Sequence, residues 1–371
     1  MRLKISMMVF GWIVVLGLTA QPAQAVSLGD SGIDISGSVD VYYSLNFENP
    51  TGAPLAPLGT FNNPEQAGRN FDLRADEFSL SLIDLIVQKA PSPVGFRVDF
   101  DYGPTTDWVH AFEPGGTEVF KNLQQAYLTY VAPVGKGLTI DFGKFVTHMG
   151  FEVIESKDNW NYSRSYLFAW AIPYYHAGLR LSYPVADGVT VTLLGVNGWN
   201  NVQESNSGKT VGAQVAITLI PKVTLIQNGI WGSETATNFR RDVYDTVLII
   251  TPTDKLSLGL NFDLGLEDMP GVTAGDSSWY GLAGYGRLAV TDAAAVAVRG
   301  EWFKDTDGFA TGLNQSLAEV TVTGEVKLGG SLLTRLEYRR DWSNKNTFND
   351  STGAATRSAQ DTITLGAVYI F

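Results

Sequence analysis

Apolar and polar residues alternate with a period of two along most of this chain, which is the pattern of a β-strand with one apolar and one polar face. In residues 33–47 the odd positions are almost all apolar, and the even positions are mostly Asp, Ser and Asn. Residues 256–266 and 318–328 repeat the pattern, whereas residues 223–231 and 279–290 follow it poorly. The alternation predicts an all-β protein built from amphipathic strands.

The connectors between these runs are short and long in turn. Short turns lie near residues 91–93, 133–137, 184–188, 221–222, 251–255, 291–294 and 329–330. Long connectors lie near 48–70, 104–121, 148–173, 200–208, 233–240, 267–276, 305–315 and 343–358. This sorting predicts a transmembrane antiparallel β-barrel of about sixteen strands, with short periplasmic turns, long surface loops and both termini in the periplasm. A soluble β-sandwich gives no reason for short and long connectors to alternate in this way.

The N-terminus carries the features of a secretory leader. A positively charged start precedes an apolar stretch at residues 7–18 and a small-x-small site at 23–25. We therefore expect residues 1–25 to be a signal peptide and residues 26–371 to form a single barrel domain. A membrane anchor is the weaker alternative, because the apolar part is shorter than the ~20 residues that span a bilayer. Export and a barrel together predict the bacterial outer membrane.

Composition agrees with a barrel and narrows the partners. The chain has 39 Gly, 15 Tyr, 19 Phe and 9 Trp, no Cys, and a mean hydropathy of +0.01. After the leader, no run of ~18 apolar residues predicts a membrane-spanning helix. The formal net charge of −12 argues against nucleic acid. The predicted partners are outer-membrane lipid and small solutes.

Charged residues within strands are predicted to face the barrel interior. A charge that faces lipid at the bilayer midplane costs ~2–4 kcal/mol, and a barrel of about sixteen strands is too wide for side chains to fill. The sequence therefore predicts a water-filled lumen. The lumen-facing candidates are Arg97, Asp99, Asp101, Asp141, Arg180, Arg287, Arg299, Glu301, Arg335, Glu337 and Arg339. Most could simply be solvated and paired, or some arginines could face acids on an inserted loop and create a field across the pore.

The C-terminal stretch DTITLGAVYIF alternates to the last residue. It resembles the signal by which the barrel-assembly machinery recognises bacterial outer-membrane proteins, with Tyr369 and Phe371 as its candidate residues. An ordinary edge strand that ends in Phe is the alternative.

Catalytic chemistry has little support in the sequence. His110, His148 and His176 are the three histidines, and no HExxH motif or Gly-x-Ser-x-Gly motif occurs. We therefore predict no enzyme, metal or cofactor. One alternative is a barrel phospholipase that uses Ser163 with His148 or His176 and a nearby Asn; another is an adhesin or scaffold with an occluded lumen.

Residues 122–184 resemble a known family more specifically. The motifs are DFGKF at 141–145, GxE at 150–152, NYSRS at 161–165 and the segment 173–178. Together they resemble the OmpL-like, type-two β-barrel porins. The C-terminal half resembles that family only through its alternating strands and terminal Phe.

The resemblance implies an outer-membrane porin for passive diffusion of small hydrophilic solutes or ions, with a homotrimer as a further expectation. It also implies that the third surface loop, residues 147–172, folds into the barrel and narrows the pore. The constriction candidates are then Glu152, Glu155, Asp158, Asn159, Asn161, Ser163 and Arg164. The alternative is a loop that covers the mouth or contacts a neighbouring subunit. The aromatic residues that follow, Tyr166, Phe168, Trp170, Tyr174 and Tyr175, are expected at the membrane rim, where aromatic side chains are favoured.

Overall fold

A computed structural model describes residues 25–52, 59–111, 113, 121–234, 239–268 and 277–371. The predicted signal peptide lies outside the described residues except for Ala25. Among the described residues, no helix combines the length and the apolar character needed to cross a membrane.

Sixteen antiparallel strands form a closed barrel, which confirms the predicted fold. Each strand pairs with the next in sequence, and β16 closes the barrel on β1 from Thr362↔Asn46 to Ile370↔Ser38. The strands are β1 Ile33–Asn46, β2 Phe78–Lys89, β3 Val94–Tyr102, β4 Leu123–Ala132, β5 Leu138–Val146, β6 Tyr175–Ala186, β7 Val189–Val196, β8 Thr210–Ile220, β9 Val223–Ser233, β10 Arg240–Ile250, β11 Leu256–Glu267, β12 Ser277–Ala289, β13 Ala294–Asp305, β14 Gln315–Leu328, β15 Leu332–Ser343 and β16 Ala359–Ile370.

The connectors have the predicted order of short turns and long loops. Three long loops matter for the site: L1 joins β1 to β2, L2 joins β3 to β4, and L3 joins β5 to β6. L2 contains the helix α1, Pro104–Val109, and L3 contains a short 3-10 helix, Ser156–Asp158, and a π-helical turn, Leu167–Ala171. Two-residue Val26–Ser27 adds to β1, and Phe348–Asn349 pairs with Ala355–Arg357 in the last loop.

The outer face of the barrel is apolar and the inner face is mostly polar, as the alternation predicts. In β14, Val320, Val322 and Val326 are exposed on the outside, while Glu319 and Thr321 are buried inside. A closed sheet leaves no unpaired backbone edge in the hydrocarbon, so this arrangement suits a membrane. Aromatic side chains also face outward near strand ends, as at Phe78, Tyr102 and Tyr369, where membrane barrels carry aromatic girdles.

Strands β9 and β12 explain why two segments alternate poorly. Their inward positions include Ile230, Trp279, Ala283 and Tyr285, all of which are buried. These side chains belong to an apolar cluster inside the barrel that also contains L3 residues. Both faces of these strands are therefore apolar over part of their length, and the period-two signal is lost there.

The chain terminus completes the closure. Phe371 and Gly37 exchange two backbone hydrogen bonds, of 2.9 and 3.0 Å, next to the pairing of β16 with β1. A role of Tyr369 and Phe371 in recognition by the assembly machinery stays a prediction.

Candidate functional site

L3 enters the barrel and crosses to the wall opposite its own strands. The Gly150 N–H donates to Asp245 on β10, and the Phe151 N–H donates to Asn261 on β11, both at 3.2 Å. The loop then follows the inner wall as far as β1, where the Tyr162 hydroxyl donates to Asp40 at 2.9 Å. L3 therefore occupies one side of the lumen.

Two carboxylates of that wall hold the L3 backbone. Glu337 accepts the N–H groups of residues 162 and 163 at 2.6 and 3.0 Å. Glu301 accepts the N–H groups of residues 166 and 167, both at 2.6 Å. Backbone donors bonded to a charged acceptor replace the water contacts that an irregular loop loses on burial.

Three arginines of the same wall bind L3 carbonyls. Arg299 donates to the Ser163 carbonyl at 2.6 Å, and Arg339 donates to the Arg164 carbonyl at 2.6 Å. Arg335 donates to two further L3 carbonyls at 2.5 Å each. All three guanidinium groups are buried, so they fix the loop and do not face open water.

Glycines on the inner wall make room for L3 side chains. A Cβ added at Gly366 would lie 2.5 Å from the Tyr162 ring, and one at Gly259 would lie 2.5 Å from the Phe151 ring. The Phe151 ring also stacks on Tyr285, with centroids 4.2 Å apart. Wall and loop are thus complementary in shape as well as in charge.

We predict that Gly366→Leu displaces Tyr162 and lowers the free energy of unfolding by about 1–3 kcal/mol, the usual cost of overpacking. Heat-modifiable electrophoretic mobility of the folded barrel measures the loss. Gly300→Leu is the matched control, because a Cβ at Gly300 meets nothing within 4 Å. Equal stability of the two variants would contradict the close packing of L3 on β16.

Five of the seven predicted constriction residues are buried in contacts that hold L3. These are Glu152, Asn159, Asn161, Ser163 and Arg164. Arg164, for example, donates to the carbonyls of residues 153, 154 and 162, and Asn161 donates to Thr323 at 2.7 Å. Inside the barrel, their polar groups form hydrogen bonds with the loop and the wall and are largely shielded from water. The other two, Glu155 and Asp158, keep exposed surface.

A cavity of about 330 Å³, here called the inner chamber, remains between L3 and strands β3 to β6. Glu155, Lys157 and Asp158 line its loop side, and Arg97 and Arg180 line its wall side. Arg97 donates to Asp99 at 2.9 Å, and Arg180 donates to Asp141 at 3.0 Å. Desolvation raises the pKa of Glu155 above its ordinary value. It also lowers the pKa of His148, another lining residue, to about 3, which leaves that imidazole neutral at pH 7.

Nine of the eleven predicted lumen-facing residues divide into two groups by position. Arg299, Glu301, Arg335, Glu337 and Arg339 lie under L3 and bind it. Arg97, Asp99, Asp141 and Arg180 lie at or beside the inner chamber. Arg287 pairs with Glu325 at 2.7 Å, and Asp101 is the register partner of Asp84 on β2.

L1 also folds into the lumen, a placement that no pattern in the sequence indicated. Arg69 pairs with Asp341 of β15 at 2.9 Å, and the Gln66 amide oxygen accepts from Ser44 of β1 at 3.1 Å. Asn70 donates to the Ala169 carbonyl of L3 at 3.0 Å. L1 is thus held by the wall on one side and by L3 on the other.

The aromatic residues in the second half of L3 and at the start of β6 lie inside the barrel, so their expected placement at the membrane rim is wrong. Tyr166, Phe168, Tyr174 and Tyr175 are buried. Phe71 of L1, Phe168 and Tyr174 contact one another with centroids 5.6–6.1 Å apart, and we call these three residues the aromatic barrier. The reason is that L1 and L2 provide an apolar surface for these rings within the lumen.

A second cavity of about 630 Å³, the outer chamber, lies at the loop end of the barrel. Tyr174 lines both chambers. The aromatic barrier therefore stands between the outer chamber and the inner chamber.

Ser163 does not have the partners of a catalytic serine. Its hydroxyl accepts from Arg299 at 3.1 Å and from Arg339 at 3.3 Å. His148 binds the Gly229 carbonyl, and His176 bonds with Thr147 and the Gly198 carbonyl. A nucleophile needs a base within hydrogen-bond reach, so this geometry does not favour the phospholipase alternative. In the described part of the chain, no group of three or more His, Cys, Asp or Glu side chains is arranged to hold a metal ion.

A closed sixteen-stranded barrel with short turns, long surface loops and a third loop folded into its lumen defines an outer-membrane porin, a class of channel. The family model described as "Putative beta-barrel porin-2, OmpL-like" matches residues 32–371, so the chain belongs to that family. The resemblance noted in the sequence is confirmed, and with it the outer membrane as the location. No curated protein matches the chain.

Solved structures share the fold at low sequence identity. The outer-membrane channel DcaP of Acinetobacter baumannii aligns with a TM-score of 0.60 and 10% identity, over 94% of this chain and 100% of that one. OmpT of Vibrio cholerae in its trimer form aligns at 0.56 and 12%, over 91% and 99%. An anion-selective porin from Comamonas acidovorans aligns at 0.57 and 9%, over 91% and 99%.

Proposed function

We propose that this porin admits small hydrophilic solutes and ions by passive diffusion, along a path through the inner chamber between L3 and strands β3 to β6. The observation that carries the proposal is the placement of L3, which is fixed to the opposite wall and leaves the inner chamber open. Charged side chains line both sides of that chamber, and they suit the passage of hydrated solutes.

The charges of the inner chamber favour cations weakly. Arg97 and Arg180 each pair with a wall aspartate, and Lys157 pairs with Asp158 at 2.5 Å. Glu155 has no ion-pair partner within 4.0 Å among the described residues. Glu155 is thus an acidic side chain outside the ion pairs of the chamber, only partly offset by the nearby Lys157, and it raises the local concentration of cations. The negative charge of the whole chain matters less, because selectivity depends on the charges that line the path of the ions.

Charge reversal at Glu155 tests this assignment. A unit charge ~7 Å from a permeating ion is worth ~0.6 kcal/mol in water-like surroundings, with opposite sign for cations and anions. Reversing the charge therefore changes the cation–anion difference by ~2.4 kcal/mol, and Glu155→Lys is expected to shift the cation-to-anion permeability ratio roughly fiftyfold toward anions. Reversal potential under a salt gradient in a planar bilayer measures the ratio. The control is Asp187→Lys on an exposed turn, which should leave the ratio unchanged.

The same recording separates this function from the two alternatives. Folded protein that never opens a pore would support an occluded adhesin or scaffold and would contradict the channel. An unchanged reversal potential in Glu155→Lys, with normal conductance, would place the selective region elsewhere.

The homotrimer is part of the proposal and is supported by the trimer form of one structural neighbour. Chemical cross-linking in native membranes measures the assembly; a single band at the monomer mass would contradict it.

A further inference from the structure

The outer chamber has a chemistry that diffusion of ions does not require. Seven aromatic side chains, drawn from separate loops and strands, line it: Phe61, Trp108, Trp170, Tyr174, Trp199, Trp279 and Phe309. Its volume of about 630 Å³ falls within the ~300–1,000 Å³ of small-molecule sites. An aromatic lining of this kind provides flat apolar surfaces at the entrance of a channel for polar solutes.

The rings are fixed in position by their neighbours. The Trp170 indole N–H donates to the Gly68 carbonyl, and the Trp279 indole N–H donates to the Ala171 carbonyl, both at 3.1 Å. Phe309 stacks on Trp279 with centroids 5.0 Å apart. Rings that are already ordered lose little conformational entropy when a ligand binds, so the chamber is preorganised.

The charged groups that line the chamber are bonded to other protein groups. Arg241 lies 4.8 Å from the centre of the Trp199 ring and pairs with Glu267 at 2.7 Å. The Glu234 carboxylate accepts hydrogen bonds from the backbone N–H of Trp199 and from the Thr210 hydroxyl, both at 2.6 Å. Both charged side chains that line the chamber are therefore already bonded within the protein, which leaves the aromatic rings and the neutral groups to contact a ligand.

Neutral polar groups complete the lining. Asn201 and Ser205 add an amide and a hydroxyl, and both belong to the loop that carries Trp199. Trp170 and Trp199 are only half-buried, so their rings keep surface toward the cavity. The combination of exposed indole rings with neutral hydrogen-bonding groups suits a ligand that has one apolar face and a polar edge.

We propose that the outer chamber binds neutral carbohydrates, with the sugar ring against Trp170 and Trp199 and its hydroxyl groups toward Asn201 and Ser205. The C–H face of a pyranose is weakly positive and matches the negative face of an indole ring. The site deepens the proposed function, on which it rests, because it would concentrate sugars at the outer end of the same path.

The test compares a sugar with a polyol that lacks a ring. Channels in a planar bilayer are titrated with cellobiose, sorbitol or benzoate. Cellobiose is expected to reduce the current with saturation, and sorbitol is expected to act only through viscosity, in proportion to its concentration. Equal effects of cellobiose and sorbitol would overturn the proposal, as would block by benzoate at lower concentration than cellobiose.

Three variants locate the binding. Trp170→Ala and Trp199→Ala are each expected to weaken half-saturation by cellobiose about tenfold, the effect of losing one aromatic contact. Trp199→Phe keeps a ring and should lose less, which guards against a variant that folds poorly. Trp302→Ala, on the outer face, is the control. Identical half-saturation in all the variants would overturn the site.

Calorimetric titration of the detergent-solubilised barrel with cellobiose separates the two proposals. A barrel that conducts without binding cellobiose contradicts the carbohydrate site alone. A barrel that binds cellobiose and never conducts supports the site and contradicts passive diffusion.

Discussion

Arg299→Ala is expected to release L3 from the barrel wall and to lower the free energy of unfolding by about 3–5 kcal/mol. The Arg299 guanidinium is fully buried and pairs with Glu152 of L3 and Glu319 of β14, both at 2.7 Å. Removing the cation leaves two buried carboxylates without it, which costs more than the net worth of the pairs. Because Glu152 lies on the loop, the repulsion between the Glu152 and Glu319 carboxylates weakens the contact that holds L3 against the wall.

Two measurements report the release of L3 from the barrel wall. Urea unfolding in lipid vesicles, monitored by tryptophan fluorescence, reports the loss of stability, and single-channel recording should reveal larger, noisier currents as L3 moves. The control is Arg240→Ala, where a largely exposed arginine pairs with Asp242 and should contribute less than about 1 kcal/mol.

The cause can be separated from a general packing defect. Adding Glu152→Gln and Glu319→Gln to Arg299→Met removes the two carboxylate charges that lose their cation. This triple variant should recover much of the lost free energy of unfolding. A triple variant as unstable as Arg299→Ala would show that packing, and not charge, accounts for the loss.

The sequence predicted the barrel well because alternation is a local property of each strand. One face of every strand meets lipid, so the period of two persists even where the fold is otherwise unknown. The two segments that alternate poorly carried further information. Inward apolar residues such as Ile230 and Trp279 mark the wall on which internal loops pack.

The site was predictable only in outline, because the contacts that define it join residues far apart in the chain. Arg97 and Arg299 have the same appearance in the sequence, yet Arg299 is buried under L3 and Arg97 keeps 31% of its side chain exposed. The insertion of L1 depends on the ion pair between Arg69 and Asp341, and no periodic pattern in the sequence predicts such a pair. The aromatic run in the second half of L3 has the composition of a girdle, and only its packing partners place it in the lumen.

The aromatic barrier leads to the second large expected effect. The double variant Phe168→Ala/Tyr174→Ala should join the outer and inner chambers and raise single-channel conductance several-fold, since an apolar constriction opposes the passage of water and ions. Tyr174 is the natural target, because it lines both chambers and its hydroxyl is fixed by the Ala169 carbonyl at 2.9 Å and by Asn70.

A matched double variant shows whether the effect depends on where the two rings lie or only on the loss of two aromatic side chains. Tyr130→Ala/Phe142→Ala removes the same two residue types from the outer face, where both are exposed, and should leave conductance unchanged. Liposome swelling with sugars of increasing size should show a larger size limit for the barrier variant only. If its conductance and size limit equal those of the unmodified channel, the narrowest point lies away from Phe71, Phe168 and Tyr174. Cation preference should meanwhile persist in the barrier variant, because Glu155, the acidic side chain without an ion pair, lies in the inner chamber and not in the aromatic barrier.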